Sequence, residues 1–133
     1  MRVILDTNVF LSGIHWAGAS SEVLRAWFLK KFTSVSSTEI NRELFSQFRD
    51  FKIRMETEEI HFWESLILEK SELVVPNKKI DIVKDDPDDN KFIEAALEGK
   101  AEYIVTQDNH LLKIKEFKGI KIISPEEFIK FCS

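Results

Sequence analysis

The sequence is poor in cysteine, and this scarcity excludes two kinds of site. Cys132 is the single cysteine among 133 residues, so the chain forms no internal disulfide and no cluster of thiolate metal ligands. The N-terminus has no signal-peptide pattern, because its first apolar run is short and is interrupted by Asp6. No apolar stretch is long enough to span a bilayer. We therefore expect a cytoplasmic protein without membrane contact.

A surplus of basic residues is also absent. The chain carries 19 Lys and Arg against 23 Asp and Glu, a net charge of -4, whereas proteins that coat nucleic acid are basic overall. Gly13 and Gly18 are too far apart for a glycine-rich phosphate loop. His15, His61 and His110 share no spacing typical of a metal site, and we interpret each as a surface or packing residue. Carboxylates are left as the main candidates for chemistry.

What the sequence does contain is an alternation of short apolar runs and helical patterns. Strands are predicted at residues 3–5, 32–35, 73–75, 103–106 and 121–123, with a further short strand or edge segment at 80–83. Helical patterns lie between these runs. This alternation predicts an α/β protein, a three-layer α/β/α sandwich around a mainly parallel sheet. A chain of 133 residues is expected to form a single domain, 1–133.

Local signals predict where individual helices begin and end. A first helical turn is expected to end at Ser12, followed by a loop at 13–19. Ser36 and Glu39 form a capping box, so a helix is expected to start there, and a second helix follows at about 57–70. The apolar stripe of the first of these two helices is predicted to contain Ile40, Leu44, Phe48 and Phe51. Phe28 is expected on the buried face of the preceding helix.

Four acids occupy comparable places in this pattern. Asp6 directly follows the first strand, and Asp108 lies just beyond the strand at 103–106. Asp89 lies in the first turn of a helix, and Glu43 lies inside another helix. Strand carboxyl ends and helix amino ends share one edge of a parallel sheet, so Asp6, Asp89 and Asp108 should converge there. Glu43 joins them if its helix crosses that edge.

The repulsion within such a cluster indicates a cation. Two carboxylates about 4 Å apart repel by roughly 4 kcal/mol at an effective dielectric constant near 20. Three or four together would not all stay ionised without compensation. Acids without thiol or histidine partners suit Mg²⁺ or Mn²⁺, which bind phosphate oxygens and lower the pKa of water. The natural reaction class is metal-assisted cleavage of a phosphodiester.

Each acid also has a purely structural explanation. Asp6 and Asp108 can cap the helices that follow them, and the acids around Pro87 can complement a helix dipole. Glu43 can be an ordinary solvated residue of its helix. Spacing alone therefore leaves both the structural explanation and the metal site open.

Four segments together resemble the PIN domain family. They are Val-Ile-Leu-Asp-Thr-Asn-Val at 3–9, Ser-Ser-Thr-Glu-Ile-Asn-Arg-Glu-Leu at 36–44, Asp-Asp-Pro-Asp-Asp-Asn-Lys-Phe-Ile-Glu-Ala-Ala at 85–96 and Tyr-Ile-Val-Thr-Gln-Asp-Asn-His-Leu-Leu at 103–112. The similarity spans residues 2 to about 128 and is most specific in the first and third segments. The resemblance implies a PIN-like fold. The metal-binding, catalytic acids that it implies are Asp6, Glu43, Asp89 and Asp108, with Asn8, Asp86 and Thr106 in support.

The resemblance also implies an activity and partners. It is closest to the branch that contains the toxins of prokaryotic toxin–antitoxin systems, whose activity is Mg²⁺- or Mn²⁺-dependent cleavage of single-stranded RNA. Such toxins are usually held by an antitoxin protein and often form homodimers. Gln107 departs from the family, which commonly has Gly at that place, and this affects the local turn rather than the acid beside it.

Two other functions stay open. A non-catalytic interaction module would keep the PIN scaffold for binding a partner, with acids that hold no metal. A phosphohydrolase or phospho-receiver would need a second Asp near Asp6, but Asn8 stands two residues after it.

Trp16 offers a ring for stacking on a base, or it is an ordinary packed ring. The cations of the first half, which can hold phosphates or lie on solvated helix faces, are Arg25, Lys30, Lys31, Arg42, Arg49, Lys52 and Arg54.

Overall fold

The computed structural model describes residues 1–132 and contains a central six-stranded sheet. In chain order, the strands are β1 (Arg2–Leu5), β2 (Thr33–Ser37), β3 (Ser71–Val74), β4 (Tyr103–Val105), β5 (Glu116–Phe117) and β6 (Ile120–Ile123). Across the sheet they follow the order β3-β2-β1-β4-β6-β5, and each neighbouring pair is parallel except β5 with β6. The sheet is therefore mainly parallel, as predicted.

Helices connect the strands, because parallel neighbours need a crossover that returns the chain to the starting edge. They are α1 (Thr7–His15), α2 (Ala19–Phe28), α3 (Thr38–Phe48), α4 (Thr57–Lys70), α5 (Asn90–Glu98), α6 (Asn109–Leu112) and α7 (Pro125–Cys132). A short 3-10 turn, Pro87–Asp89, leads into α5. Within residues 1–132, no helix has both the length and the apolar character that crossing a membrane requires.

The side chains of β1 alternate between the two faces of the sheet and divide the core into two clusters. On one face, Val3 and Leu5 pack with residues of α1, α2 and α7. On the other face, Ile4 packs with Phe92 and Ile93 of α5. All five side chains are 0 to 2% exposed. Helices thus cover both faces of the sheet, which confirms the expected three-layer α/β/α arrangement.

The segment 80–83 is not a strand, which corrects the prediction for this part of the chain. Three of its four N–H groups bond to side chains of α5 instead of to a neighbouring strand. Ile82 and Val83 donate to Oδ1 of Asn90 at 3.0 and 2.9 Å, and Ile80 donates to Oε2 of Glu94 at 3.0 Å. Side-chain acceptors on α5 therefore take the place of the backbone hydrogen bonds that a neighbouring strand would provide.

Two aromatic residues are more exposed than the helical patterns predict. The helix predicted at 38–51 ends at Phe48, so Phe51 falls in the following turn and is 82% exposed. Phe28 is the last residue of α2 and is 42% exposed. Its ring lies at the rim of the core, stacked 5.5 Å from the Trp27 ring. Phe51 continues the apolar spacing of α3 beyond the end of that helix, and Phe28 continues that of α2 up to its exposed end.

The first helix is longer than predicted and the capping residue of α3 is shifted by one. The helix α1 runs through Gly13 to His15. A glycine at this place lets α2 approach closely, since a Cβ atom would lie 2.8 Å from the Ser20 carbonyl oxygen. The helix α3 is capped by Ser37, whose Oγ accepts the Ile40 N–H at 3.3 Å. The helix α1 thus continues into residues for which the sequence predicted a loop, whereas α3 keeps a local serine cap.

A hairpin that was not predicted forms the end of the sheet. Strands β5 and β6 are joined by Lys118 and Gly119, with φ angles of 49° and 84°. Two consecutive residues in the left-handed region are typical of the tight turn that connects antiparallel strands. The two-residue strand β5 is too short to produce an alternating pattern in the sequence.

Candidate metal centre

The carboxyl edge of the sheet brings together residues from β1 and β4. Asp6 follows β1 and continues its pairing with β4, since its N–H donates to the Val105 carbonyl at 3.0 Å. The Thr106 hydroxyl donates to Oδ2 of Asp6 at 2.6 Å. The same hydroxyl oxygen accepts the N–H of Asp108 at 2.9 Å. One buried threonine therefore links the first and last acids of the predicted site.

Asp6 is buried and does not act as a side-chain cap. It occupies the position before α1, but its carboxylate makes no capping hydrogen bond. Burial raises the pKa of Asp6 to about 6, against the lowering effect of the Thr106 hydroxyl, and the negative charge of Glu43 raises it further. Glu43 is thus near enough to repel Asp6, and the cost of ionising Asp6 is left without a compensating cation.

Asp89 is the most perturbed of the acids. It ends the 3-10 turn before α5 and is 7% exposed. Among residues 1–132, no hydrogen-bond partner reaches its buried Oδ2 atom. Burial raises the pKa of Asp89 to about 8, and its contact with Asp108 and the charges of Asp86 and Asp6 act in the same direction.

Asp108 lies against Asp89 and also caps a helix. Its Oδ1 accepts the His110 N–H at 2.8 Å at the start of α6, so the capping explanation applies to this residue. Burial raises the pKa of Asp108, but the hydrogen bond with Asp89 and the His110 N–H outweigh it and hold the pKa below the ordinary value. Of the two carboxyl groups, Asp89 is therefore the one that is harder to ionise.

Glu43 joins the same edge from α3. Thr7 donates its hydroxyl proton to Oε2 of Glu43, and the Lys91 ammonium donates to Oε1 at 2.8 Å. Lys91 is 5% exposed, although lysine is rarely buried without a partner. We call Asp6, Glu43, Asp89 and Asp108 the acid cluster. Lys91 was not predicted as part of it, although its place three residues after Asp88 is a spacing at which helical side chains pair.

The three supporting residues occupy different places. Thr106 contacts both Asp6 and Asp108, as described above. Asn8 is exposed on the first turn of α1, and within residues 1–132 no hydrogen bond joins it to the acid cluster. Asp86, Asp108 and His110 form a group whose ligand atoms all lie within 4.8 Å of one another. This group could hold a metal ion, and it includes His110, which the sequence analysis interprets as a surface or packing residue.

The chemistry of these atoms fits a hard divalent cation. The acid cluster offers carboxylate oxygens at a buried edge, and Oδ2 of Asp89 lacks a donor within residues 1–132. The raised pKa values of Asp6 and Asp89 show that two negative charges are unfavourable here without a cation. Mg²⁺ and Mn²⁺ prefer oxygen ligands of this kind.

Only some of the predicted phosphate contacts lie near the acid cluster. Arg42 lines a cleft of about 320 Å³ together with Glu43 and Lys91. Arg49 instead forms a bidentate ion pair with Glu64. Lys30 lines a different cavity, at the amino edge of the sheet beside Thr33. Arg42 is therefore the cation best placed to meet a phosphate at this edge.

Gln107 and Trp16 line a second cleft at the carboxyl edge. Oε1 of Gln107 accepts a hydrogen bond from the Ser12 hydroxyl at 3.2 Å, and Nε2 donates to the Ser20 hydroxyl at 3.4 Å. The glutamine therefore bridges α1 and α2 at the place where a glycine is common in the family. The ring of Trp16 is 68% exposed in the same cleft, so it is not a packed core residue.

Comparisons with known proteins agree with this geometry. The chain is 30% identical to the uncharacterized protein MJ1680 of Methanocaldococcus jannaschii, over 98% of this chain and 90% of that protein. Its fold is similar to a chain in the crystal structure of VapBC2 from Rickettsia felis bound to a DNA fragment from their promoter, with a TM-score of 0.62, 16% sequence identity, and coverage of 93% of this chain and 98% of that one. The family profile described as PIN domain matches residues 2–110, which include every member of the acid cluster, and the chain therefore belongs to the PIN domain family.

Proposed function

We propose that this PIN domain protein is a metal-dependent ribonuclease that cleaves single-stranded RNA and serves as the toxin of a toxin–antitoxin pair. The observation that carries the proposal is the buried carboxylate of Asp89, which lacks a hydrogen-bond donor within residues 1–132 and lies against Asp108. A carboxylate in that position is stable as an anion only beside a cation. The proposed protein acts as one domain, 1–133, in the cytoplasm.

Each residue at the carboxyl edge has its own role in this proposal. Asp6, Asp89 and Asp108, with Glu43 beside them, form the site for Mg²⁺ or Mn²⁺. A bound ion supplies positive charge to the phosphodiester oxygens and lowers the pKa of water. Thr106 fixes the orientation of Asp6 through its hydroxyl, and Asp86 and Asn8 are assigned supporting roles.

Binding of the RNA backbone is assigned to the cleft beside the acids. The Arg42 guanidinium lines this cleft and can pair with a phosphate in a bidentate way. The exposed ring of Trp16 in the second cleft offers a surface on which an unpaired base stacks. Stacking of this kind requires a splayed base, which favours single-stranded over paired RNA.

An antitoxin protein and a second copy of this chain are the proposed protein partners. The support for an antitoxin is the fold similarity to a chain of VapBC2, a complex that was solved on DNA from its own promoter. Exposed apolar side chains such as Phe62 and Leu68 on α4 leave surface available for protein contacts.

The test is cleavage of single-stranded RNA with Mn²⁺ or Mg²⁺ in excess. We expect the wild type to cleave and Asp6→Asn to be at least about 100-fold slower, because the amide removes one negative charge from the ion site. The matched control is Asp81→Asn, which changes an exposed acid paired with Lys84 and should cleave like the wild type. Single-stranded DNA of the same sequence tests the choice of substrate.

Two results would overturn the proposal. Equal cleavage by the wild type and Asp6→Asn would show that the nuclease activity does not use the acid cluster. No cleavage by the wild type at saturating ion would favour the alternative, a non-catalytic PIN module that binds a partner.

A further inference from the structure

Lys91 is a buried cation at the border of the acid cluster. Its side chain is 5% exposed, and its ammonium group donates to Oε1 of Glu43 at 2.8 Å and to Oδ2 of Asp88 at 2.6 Å. A third bond of 3.2 Å reaches the backbone carbonyl of Asp88. An ammonium group has three donors, so all of them are used. Such a group stays charged in the interior because acids surround it.

Both carboxylate oxygens of Glu43 accept a hydrogen bond. Lys91 bonds to Oε1, and the Thr7 hydroxyl bonds to Oε2. The charge of Glu43 is therefore offset by a cation that belongs to the chain itself. Asp89 is the opposite case, because its Oδ2 is buried and no described residue donates to it.

The acid cluster is thus divided into two halves. In one half, Lys91 neutralises Glu43 and is held in place by Asp88. In the other half, Asp6 accepts from the Thr106 hydroxyl and Asp108 accepts from the His110 N–H, whereas Asp89 has an Oδ2 without a donor. Within residues 1–132, no lysine or arginine forms an ion pair with these three acids. A second divalent ion at Glu43 would have to lie beside the Lys91 ammonium, and the two positive charges would repel each other.

We propose that Lys91 is a positioning residue that takes the place of a second metal ion, so that the site holds a single divalent ion on the side of Asp6, Asp89 and Asp108. The inference rests on the metal site of the proposed function. Glu43 then holds Lys91 and Thr7 in place and is not a direct ligand of the ion. The Lys91 side chain holds Glu43 away from the ion and leaves room for one ion only.

The number of bound ions tests this inference without any substrate. Isothermal titration of the wild type with Mn²⁺ should give one ion per chain. Lys91→Met should give two, because the substitution frees Glu43 and removes the repelling charge. Lys84→Met is the matched control, since Lys84 is an exposed lysine paired only with exposed Asp81, and it should bind one ion. One ion on Lys91→Met with wild-type affinity would overturn the inference.

A second variant keeps the test decisive if Lys91→Met does not fold. Glu43→Gln leaves Lys91 in place and should bind one Mn²⁺ with an affinity within about 3-fold of the wild type. A loss of about 10-fold or more would show that Glu43 is a ligand and would overturn the inference. Two ions on the wild type would overturn the single-ion site but not the nuclease proposal. No Mn²⁺ binding by the wild type would overturn both.

Discussion

The hydroxyl of Thr106 donates a 2.6 Å hydrogen bond to Oδ2 of Asp6, and so joins two residues that are 100 positions apart. Thr106 is fully buried and lies between β4 and the start of α6, while Asp6 lies between β1 and α1. The two strands are parallel neighbours in the sheet, so this bond forms only when the sheet is complete. The orientation of the first acid is therefore a property of the fold and not of the local sequence.

Replacement of this hydroxyl should shift the pH dependence of cleavage. The Thr106 bond lowers the pKa of Asp6, so Thr106→Val should raise that pKa and move the rise of the Mn²⁺-dependent rate to higher pH. The rate at neutral pH should fall by about 10- to 100-fold, as expected for loss of a residue that orients a metal ligand. Thr106→Ser keeps the hydroxyl and should behave like the wild type. An unchanged pH profile for Thr106→Val would count against this role.

The stability of the metal-free protein should fall as the pH rises. The pKa values of Asp6 and Asp89 are raised to about 6 and about 8, from an ordinary value of 3.8, so the folded state binds more protons than the unfolded state between these limits. Their favourable contribution is complete below the ordinary pKa and is lost as the pH rises through the raised values. Unfolding by urea in EDTA should show a decline on the order of 5 kcal/mol between about pH 5 and pH 8, most of it from Asp89.

Asp89→Asn is the variant that assigns this decline to one residue. The amide cannot ionise, so the variant should lose most of the pH dependence and be more stable than the wild type near pH 8. Asp81→Asn, at an exposed ion pair, should keep the wild-type slope. A wild type whose stability rises with pH over this range would contradict the assigned pKa values.

Close packing of α1 against α2 predicts a large effect of a single methyl group. A Cβ atom at Gly13 would lie 2.7 Å from Cδ1 of Leu24 and 2.8 Å from the Ser20 carbonyl oxygen. Because a backbone atom cannot move aside easily, Gly13→Ala should lower the free energy of unfolding by about 1–3 kcal/mol. Gly119→Ala is the contrasting case, since the space there is open and only the positive φ angle is unfavourable. Thermal unfolding in EDTA measures the stability of both variants. A Gly13→Ala variant as stable as the wild type would show that α1 and α2 can move apart at no cost in stability.

Much of this architecture could be predicted from the sequence because it depends on local patterns. Apolar runs locate the strands β1 and β4, and the acids that follow them must then lie at the carboxyl edge of a parallel sheet. Asp6 and Asp108 occupy that edge in the structure. Their metal-binding role stays a prediction. The segment 80–83 could not be assigned in this way, because its backbone bonds to Asn90 and Glu94 and not to a strand.

What the sequence did not show is the partnership of residues from distant elements. Lys91 on α5 is buried because Glu43 on α3, 48 residues away, accepts a hydrogen bond from its ammonium group. Without that partner, a lysine in the first turn of a helix is expected to point to solvent. His110 is exposed, as expected of a surface residue, but its ring also lies beside Asp86 and Asp108, a contact that no sequence spacing indicates. Both contacts depend on the order of strands in the sheet.

The most direct test of the central claim is whether Asp89 is required for binding a divalent ion. Electron paramagnetic resonance of free Mn²⁺ in the presence of the protein measures this binding without a substrate. The account predicts that the wild type and Asp81→Asn remove Mn²⁺ from solution and that Asp89→Asn binds it at least about 10-fold more weakly. Equal Mn²⁺ binding by Asp89→Asn and the wild type would contradict the account.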